Sequence, residues 1–359
     1  LDIHNEYSGA FGELVAPINP ENFNLPFWML DFQEMTAALA SRDEHHDAEA
    51  EILSEAVVHA RRRYSDAAQS RAQQLARKQA DSIPISVDTP TPFRMSDVIA
   101  YIDEQLGKLQ RNQFTLPYRR LKSHIESLIA DQRYNFMFGS LSVQDTMSDV
   151  LGSLFRVPSN GKPITVIDLS TVPPEILDVV ISVISRLAFD LAVWSKGGLP
   201  MLLVCEEAHR YAPSDPDGKF MPTRQALSRI AKEGRKYGLS LALVTQRPSE
   251  LDATILSQCG TAIALRLSSD RDQDVIRAGT YEGATGLLDF LPLLGDREAI
   301  IVGQGVCMPM RVRFDDLGKQ GVPRNMHAGF SRSWKMPSMN REGLEEIVAR
   351  WRLGGREKF

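Results

Sequence analysis

Cysteine is scarce in this chain: three in 359 residues, Cys205, Cys259 and Cys307, far apart and with no C-x-x-C pair. That spacing offers neither a disulfide framework nor a thiolate metal site, and predicts buried apolar thiols in a reducing compartment. Positive charge is not in excess. With 41 basic and 46 acidic residues the net charge is −5, which excludes a global nucleic-acid footprint and leaves any DNA contact to local loops. Clean apolar runs of membrane length are also lacking. The best candidate, Ile176–Trp194, is broken by Asp178, Arg186 and Asp190, each costing about 2.5–3.5 kcal/mol at a helix centre in lipid. The expectation is a helix packed on a sheet, in a cytoplasmic protein with no membrane anchor and no signal peptide. Internal repeats are missing too.

What is present is a series of short apolar runs separated by helical stretches. They are Ile164–Leu169, Met201–Cys205, Leu239–Val244 and Thr261–Leu267, which read as parallel strands buried on both faces. The run Leu202-Leu203-Val204-Cys205 ends abruptly in Glu206 and Glu207, and the next strand ends in Thr245-Gln246-Arg247-Pro248. Ligands of such sheets lie at the carboxyl ends of the strands. Glu206, Glu207 and Gln246 should gather there, with Asp168 at the end of its own strand. Adjacent acids at this place suit a Mg²⁺ clamp and a group that orients water; acids that merely cap a strand end would look the same.

This constellation resembles the HerA family of hexameric DNA-translocating ATPases, in the FtsK–HerA branch of P-loop NTPases. The residues that carry the resemblance are Leu1-Asp2-Ile3-His4-Asn5-Glu6-Tyr7, Glu206-Glu207-Ala208-His209-Arg210-Tyr211, Gly234-Arg235-Lys236-Tyr237-Gly238 and Thr245-Gln246-Arg247-Pro248. It implies an α/β fold: a RecA-like P-loop NTPase core with a mainly parallel sheet, plus an all-helical insertion. Residues 1–30 would begin the core with a strand at Leu1–Tyr7. Residues 31–133 would be the insertion, with helices in Ser41–Asp81, Met95–Gln110 and Pro117–Asp131. Residues 134–315 would complete the core, Tyr134–Phe138 being strand-like, and 316–359 a tail with a helix at Asn340–Arg352.

One element of the family pattern is absent. The phosphate loop G-x-x-x-x-G-K-[ST] does not occur, and none of the Gly-Lys pairs at 107–108, 161–162, 218–219 and 318–319 is followed by Ser or Thr. The expectation is a piece of a longer protein that begins after that loop, and this span alone should not hydrolyse ATP. The alternative is a degenerate subunit.

The resemblance implies ATP and Mg²⁺ as cofactors. Glu206 would hold Mg²⁺, directly or through water, with the longer Glu replacing the common Asp. Glu207 would polarise the attacking water, or else be a helix N-terminal acid. Gln246 would sense the γ-phosphate, or be a turn residue. Arg235 would reach a neighbouring subunit's ATP as a finger, or pair with Glu233; Arg229, Lys232 and Arg247 are rival cations. Arg266 would be a second nucleotide-interface residue or a structural ion pair, and His209 a hydrogen-bonded support. Lys219 and Arg224, around the Tyr211–Met221 loop, are candidate DNA contacts, and Arg61-Arg62-Arg63 either touches DNA or is a solvated helix face. Implied partners are further copies in a hexameric ring, double-stranded DNA, and a NurA-type nuclease or a sirtuin-type or other antiphage effector. Two alternatives are a catalytically degenerate ring scaffold and a conjugation- or secretion-type ATPase.

Overall fold

The structure is a computed structural model that describes residues 1–41, 43–73, 85–108, 115–139, 143–214, 221–278, 285–318, 323 and 341–352. Helices α1 (Phe32–Leu39), α2 (His46–Gln73), α3 (Met95–Lys108) and α4 (Thr115–Ala130) follow strand β1 (Val15–Ile18). No strand occurs among the described residues of 31–133. Then come α5 (Asn135–Phe138), α6 (Met147–Phe155), β2 (Ile164–Ile167), α7 (Pro174–Trp194), β3 (Met201–Cys205), α8 (Met221–Glu233) and β4 (Leu239–Leu243). The remainder is α9 (Ala253–Leu256), β5 (Thr261–Ala264), α10 (Asp270–Ala278), α11 (Thr285–Leu288), β6 (Glu298–Gly303), β7 (Met310–Arg313) and α12 (Arg341–Arg352).

Strands β1 and β2 pair in parallel, as do β3 and β4. Leu1 and Asp2 join the two pairs. The Asp2 amide donates to Ile167 O (2.9 Å) and the Leu169 amide to Asp2 O (2.8 Å), while on the other side the Glu206 amide donates to Leu1 O (3.2 Å). The expected strand Leu1–Tyr7 is therefore two residues of sheet followed by a turn.

Three further expectations are corrected. Strand β5 pairs antiparallel with β6, and β6 with β7, so Thr261–Leu267 does not begin a parallel strand. The Tyr134–Phe138 run is helical, a 3-10 turn over Gln132–Tyr134 leading into α5, with Phe136, Met137 and Phe138 all buried. Nor are these strands buried on both faces: Leu202 on β3 is 61% exposed and Ile263 on β5 54%.

Helix α1 starts on a reciprocal cap. The Glu34 amide donates to the Asp31 carboxylate (2.8 Å) and the Asp31 amide to the Glu34 carboxylate (3.0 Å), which satisfies two otherwise orphaned amides. Glu34 is 1% exposed and also receives Arg186 Nη2 of α7 at 2.8 Å. One of the charges that spoils α7 as a membrane span thus ties the insertion to the core. Among the described residues no helix is long and apolar enough to cross a membrane. One apolar cluster runs from Met35, Leu53, Phe93 and Leu121 of the helical region to Val179 of α7 and Leu239 of β4. The helical region accordingly shares its core with the sheet, and a smaller cluster lies under β5 and β6.

The basic tract is divided: Arg62 and Arg63 are exposed, whereas Arg61 is structural. Arg61 is fully buried, donating to the carbonyls of Val87 (2.6 Å), Ser86 (3.2 Å) and Trp28 (3.4 Å), and burial pushes its guanidinium down to about 10. Arg63 pairs with Asp97 at 3.3 Å. Cysteine placement is also corrected: only Cys205 is buried, whereas Cys259 and Cys307 are exposed.

Candidate active site

Backbone bonds join the carboxyl ends of β1 and β2, and those of β3 and β4. The Asp168 amide donates to Ile18 O (2.7 Å), the Val244 amide to Cys205 O (2.9 Å) and the Ala208 amide to Val244 O (3.0 Å). Beyond β3 the chain turns sharply. Glu207 lies in the left-handed region at φ 48, ψ 44 and opens a 3-10 turn over Ala208–Arg210. For a residue with a Cβ that conformation costs roughly 1–2 kcal/mol, and such strain persists where the surroundings enforce it, commonly at functional sites. Here the fully buried Tyr211 enforces it, its hydroxyl donating to Glu206 O at 2.9 Å.

Glu207 and Gln246 meet as expected from the sequence. Gln246 Nε2 donates to Glu207 Oε1 at 2.5 Å. Glu207 Oε2 is 3.2 Å from His209 Nδ1, but that nitrogen lies nearer Thr245 Oγ1, at 3.0 Å. Oε2 is thus buried without an aligned hydrogen-bond partner among the described residues. The His209–Thr245 contact links the ends of β3 and β4, and Thr245 also accepts the Arg247 amide (3.0 Å). Around them a pocket of about 520 Å³ is lined by His4, Glu207, His209, Arg210, Gln246, Arg247 and Glu250. A second cavity of about 500 Å³ around Arg186 and Glu34 includes none of these strand-end residues.

Glu206 follows directly on β3, next to this pocket. Burial, then the Glu206 carboxylate, raise the Tyr7 phenol above its ordinary value, so the hydroxyl remains a donor. Among the described residues no three His, Cys, Asp or Glu side chains converge on a metal position. A metal caged by side chains alone does not fit. Mg²⁺ held by one carboxylate together with phosphate oxygens and water does, because that ion keeps most of its shell from water and substrate.

The other candidates are placed elsewhere. Helix α8 gives way to a 3-10 turn over Gly234–Tyr237, and Gly238 at φ 78 leads into β4. A Cβ on Gly234 would stand 2.6 Å from Leu239 O, which explains the glycine there. This turn carries Arg235 at the amino end of β4, about 16 Å of strand away from Gln246 at ~3.3 Å per residue. Arg235 is exposed and makes no ion pair among the described residues. Of its rivals, Arg229 stacks on Phe189 (4.2 Å) and lies 3.8 Å from Asp190, and Arg247 pairs with Glu250 at 2.8 Å. Arg266 is 3.8 Å from the exposed Asp296. Arg224 is bound to Asp252 (Nε to Oδ2, 3.0 Å), which gives it a structural part. Lys219 lies outside the described residues.

Sequence reasoning gave no role to Tyr7 or Thr245. The signal for Tyr7 was its place in the His-Asn-Glu-Tyr signature, which carried the resemblance but not the effect of Glu206.

Comparison with solved structures defines the class. VirB4 of Thermoanaerobacter pseudethanolicus matches with a TM-score of 0.54 at 14% identity, over 84% of this chain and 76% of that one. The fold is the α/β core of the P-loop NTPases, with a helical insertion. The model of the helicase HerA central domain matches residues 1–188, more than half of the chain, and the chain belongs to that family. The DNA double-strand break repair helicase HerA of Pyrococcus furiosus is 43% identical over 127 residues, 34% of this chain and 22% of that protein. A probable helicase of Methanocaldococcus jannaschii is 30% identical over 229 residues, 61% of this chain and 42% of that protein. The matches thus span only about a fifth to two fifths of these relatives' lengths.

Proposed function

We propose that this chain is the greater part of the motor core of a HerA-type ATPase that moves double-stranded DNA through a six-membered ring. The observation that carries the reading is Glu207, which lines the pocket strained into the left-handed region, one carboxylate oxygen held by Gln246 and the other buried without a hydrogen-bond partner among the described residues. The Glu207 carboxylate takes a proton from an attacking water, while Gln246 holds it in place. Mg²⁺, bound with nucleotide, supplies charge neutralisation at the phosphates, and Glu206 is the side chain that would hold it. The exposed Arg235 suits a neighbouring copy's nucleotide, and Arg266, also exposed, stands in reserve at the same kind of interface. Relatives named as DNA repair helicases support DNA as the track. A NurA-type nuclease or an antiphage effector is the partner this reading assigns.

The phosphate loop has to come from a segment outside this sequence. Support comes from β4, which pairs with β3 alone among the described residues, and from Leu202 and Val204, apolar and exposed on β3. A strand–loop–helix unit, the form in which phosphate loops occur, would pair with that edge and cover that face. The test is Glu207→Gln in the complete polypeptide. Hydrolysis should fall by about 10²–10⁴, the usual contribution of a positioned base, with ATP binding retained. Unchanged turnover would remove Glu207 from this role, and Mg²⁺-dependent turnover by the isolated 359-residue chain would refute the external phosphate loop.

A further inference from the structure

Helix α7 is a core helix that ends in water. Val183, Leu187, Phe189 and Ala192 are each 3% exposed or less, yet Trp194, its last residue, is 84% exposed. Tryptophan is among the side chains that gain most from burial, so a bare indole at this place calls for a partner. The chain then reaches β3 through residues 195–200, and this connection packs on the Gly234–Tyr237 turn that leads into β4. A Cβ on Gly197 would lie 3.6 Å from Tyr237 O, and one on Gly238 3.6 Å from Gly197 O. The Met201 amide donates to Gly238 O at 3.0 Å. Tyr237 meets Phe189 edge-on, with ring centroids 5.9 Å apart, which ties the second turn to the helix that carries Trp194.

These two connections hold three exposed cations, Lys196, Arg235 and Lys236, and a single acid, Glu233. None of the three pairs with a carboxylate among the described residues, and Lys236 lies over the Tyr237 ring at 5.3 Å. Lys196 stands at φ 54, a helix-end conformation that glycine adopts at lower cost. In a chain of net charge −5 this is a local exception with the make-up of a docking surface. Tryptophan and arginine dominate the energetics of protein interfaces, and the unpaired cations select a counterpart of negative charge.

We infer that Trp194, Lys196, Arg235 and Lys236 form the seat for a second copy of this chain, with Trp194 as the apolar anchor and the lysines joining Arg235 against the nucleotide at that copy's strand ends. The inference rests on the ATPase reading above, which puts Arg235 at a neighbour's nucleotide. Glu206 and Glu207 supply negative charge after β3. Of the two arginines in that pocket, Arg247 is already paired with Glu250 (2.8 Å), and the triphosphate outweighs Arg210. Duplex DNA would neutralise the cations too, but its bases are stacked inside and leave the indole without a face to cover.

The test is sedimentation velocity on the complete polypeptide over a range of concentrations, with and without ATPγS. Trp194→Ala should weaken association by roughly 30-fold or more, the size of a hot-spot truncation, and Trp194→Phe should recover part of it. The thermal midpoint of dissociated copies should not move, since the indole is exposed in the single copy. ATPγS should tighten association of the wild type. In Lys196→Gln with Lys236→Gln that gain should shrink and the salt dependence of association should flatten, while dissociated copies bind ATPγS as the wild type does. Wild-type association by Trp194→Ala overturns the inference, and loss of DNA binding with association intact gives the surface to DNA instead. If ATPγS binds and Trp194→Ala associates normally, the seat fails and the ATPase reading stands. If the wild type associates through Trp194 but binds no ATPγS, the ATPase reading fails and the anchor stands.

Discussion

Glu34 and Arg186 form the buried link between the helical region and the core, and removing one charge should be costly. Glu34 is 1% exposed. Its Oε1 accepts Ser182 Oγ (2.9 Å) and Arg186 Nε (3.0 Å), and its Oε2 accepts Arg186 Nη2 (2.8 Å) and the Asp31 amide (3.0 Å). Arg186 Nη2 donates again to Met29 O at 2.6 Å. Burial works against both charges: on Arg186 the Glu34 carboxylate outweighs it and holds the guanidinium above its ordinary value, whereas on Glu34 burial prevails over the arginine and lifts the carboxyl above its own. Breaking a buried pair by neutralising one partner costs about 3–5 kcal/mol. In Glu34→Gln the arginine keeps Asp31 at 3.3 Å and Asp190 at 3.4 Å, so the loss should sit lower, at about 2–3 kcal/mol. That is roughly 30- to 150-fold in the unfolding constant. Urea unfolding followed by tryptophan fluorescence suits the region, since Trp28 is 2% exposed and its carbonyl takes Arg61. Arg186→Met alone should cost as much or more, because Glu34 then has no cation, while Glu34→Leu with Arg186→Met should recover much of the loss. Single costs below about 0.5 kcal/mol, or effects that add within that margin, would show the link to be energetically idle.

Thiol reactivity should separate the cysteines. Cys259 and Cys307 should label with Ellman's reagent in the native protein, and Cys205 only on unfolding, since it is fully buried and burial pushes its thiol up to about 11; three fast equivalents would contradict the core packing. Asp252 caps α9 through the amides of Thr254 (2.9 Å) and Ile255 (3.1 Å) and holds Arg224, so Asp252→Ala should cost about 1–2 kcal/mol. Burial pushes the Asp252 carboxyl up, but the Ile255 amide and Arg224 outweigh it and leave the carboxyl below its ordinary value. This stabilisation is present above the unfolded value of about 3.9 and is lost as pH falls through the lower folded value, so the difference between wild type and variant should shrink below about pH 4. A difference that grew on acidification would reverse the sign.

Much of this architecture could be read from residue patterns. Helices α2, α3 and α4 followed from charged stretches without strand-like runs, α7 from a long apolar run broken by Asp178, Arg186 and Asp190, and β2, β3 and β4 from compact β-branched and leucine runs ending in polar residues. The Glu207–Gln246 meeting followed from parallel strands ending side by side. What escaped was settled by partners distant in sequence. Leu1–Tyr7 looked like a strand because nothing in its apolar pattern shows the Asp2 carboxylate capturing the His4 and Tyr7 amides. Strand β1 was hidden by Pro17, which a strand tolerates at an edge. Phe136, Met137 and Phe138 are buried together in a helical turn, and a short apolar run does not separate that from a strand. The direction of β5 depends on β6, over thirty residues away. Arg61 reads as a solvated cation until Trp28, Ser86 and Val87 supply carbonyls around it.

Arg235 and Glu207 stand at opposite poles of the same parallel strands, so neither can serve the other within one copy. Where copies complete one another's sites, the touching surfaces are unlike, one pole against the other. A twofold axis cannot relate such surfaces; the contact closes only by going around a ring, or it runs on as a filament. If Arg235 serves a neighbouring copy as proposed, damage appears next door: a copy altered at Arg235 would disable its neighbour's site and leave its own intact. Mixing copies altered at Arg235 with copies altered at Glu207 should then create working sites that neither population has alone.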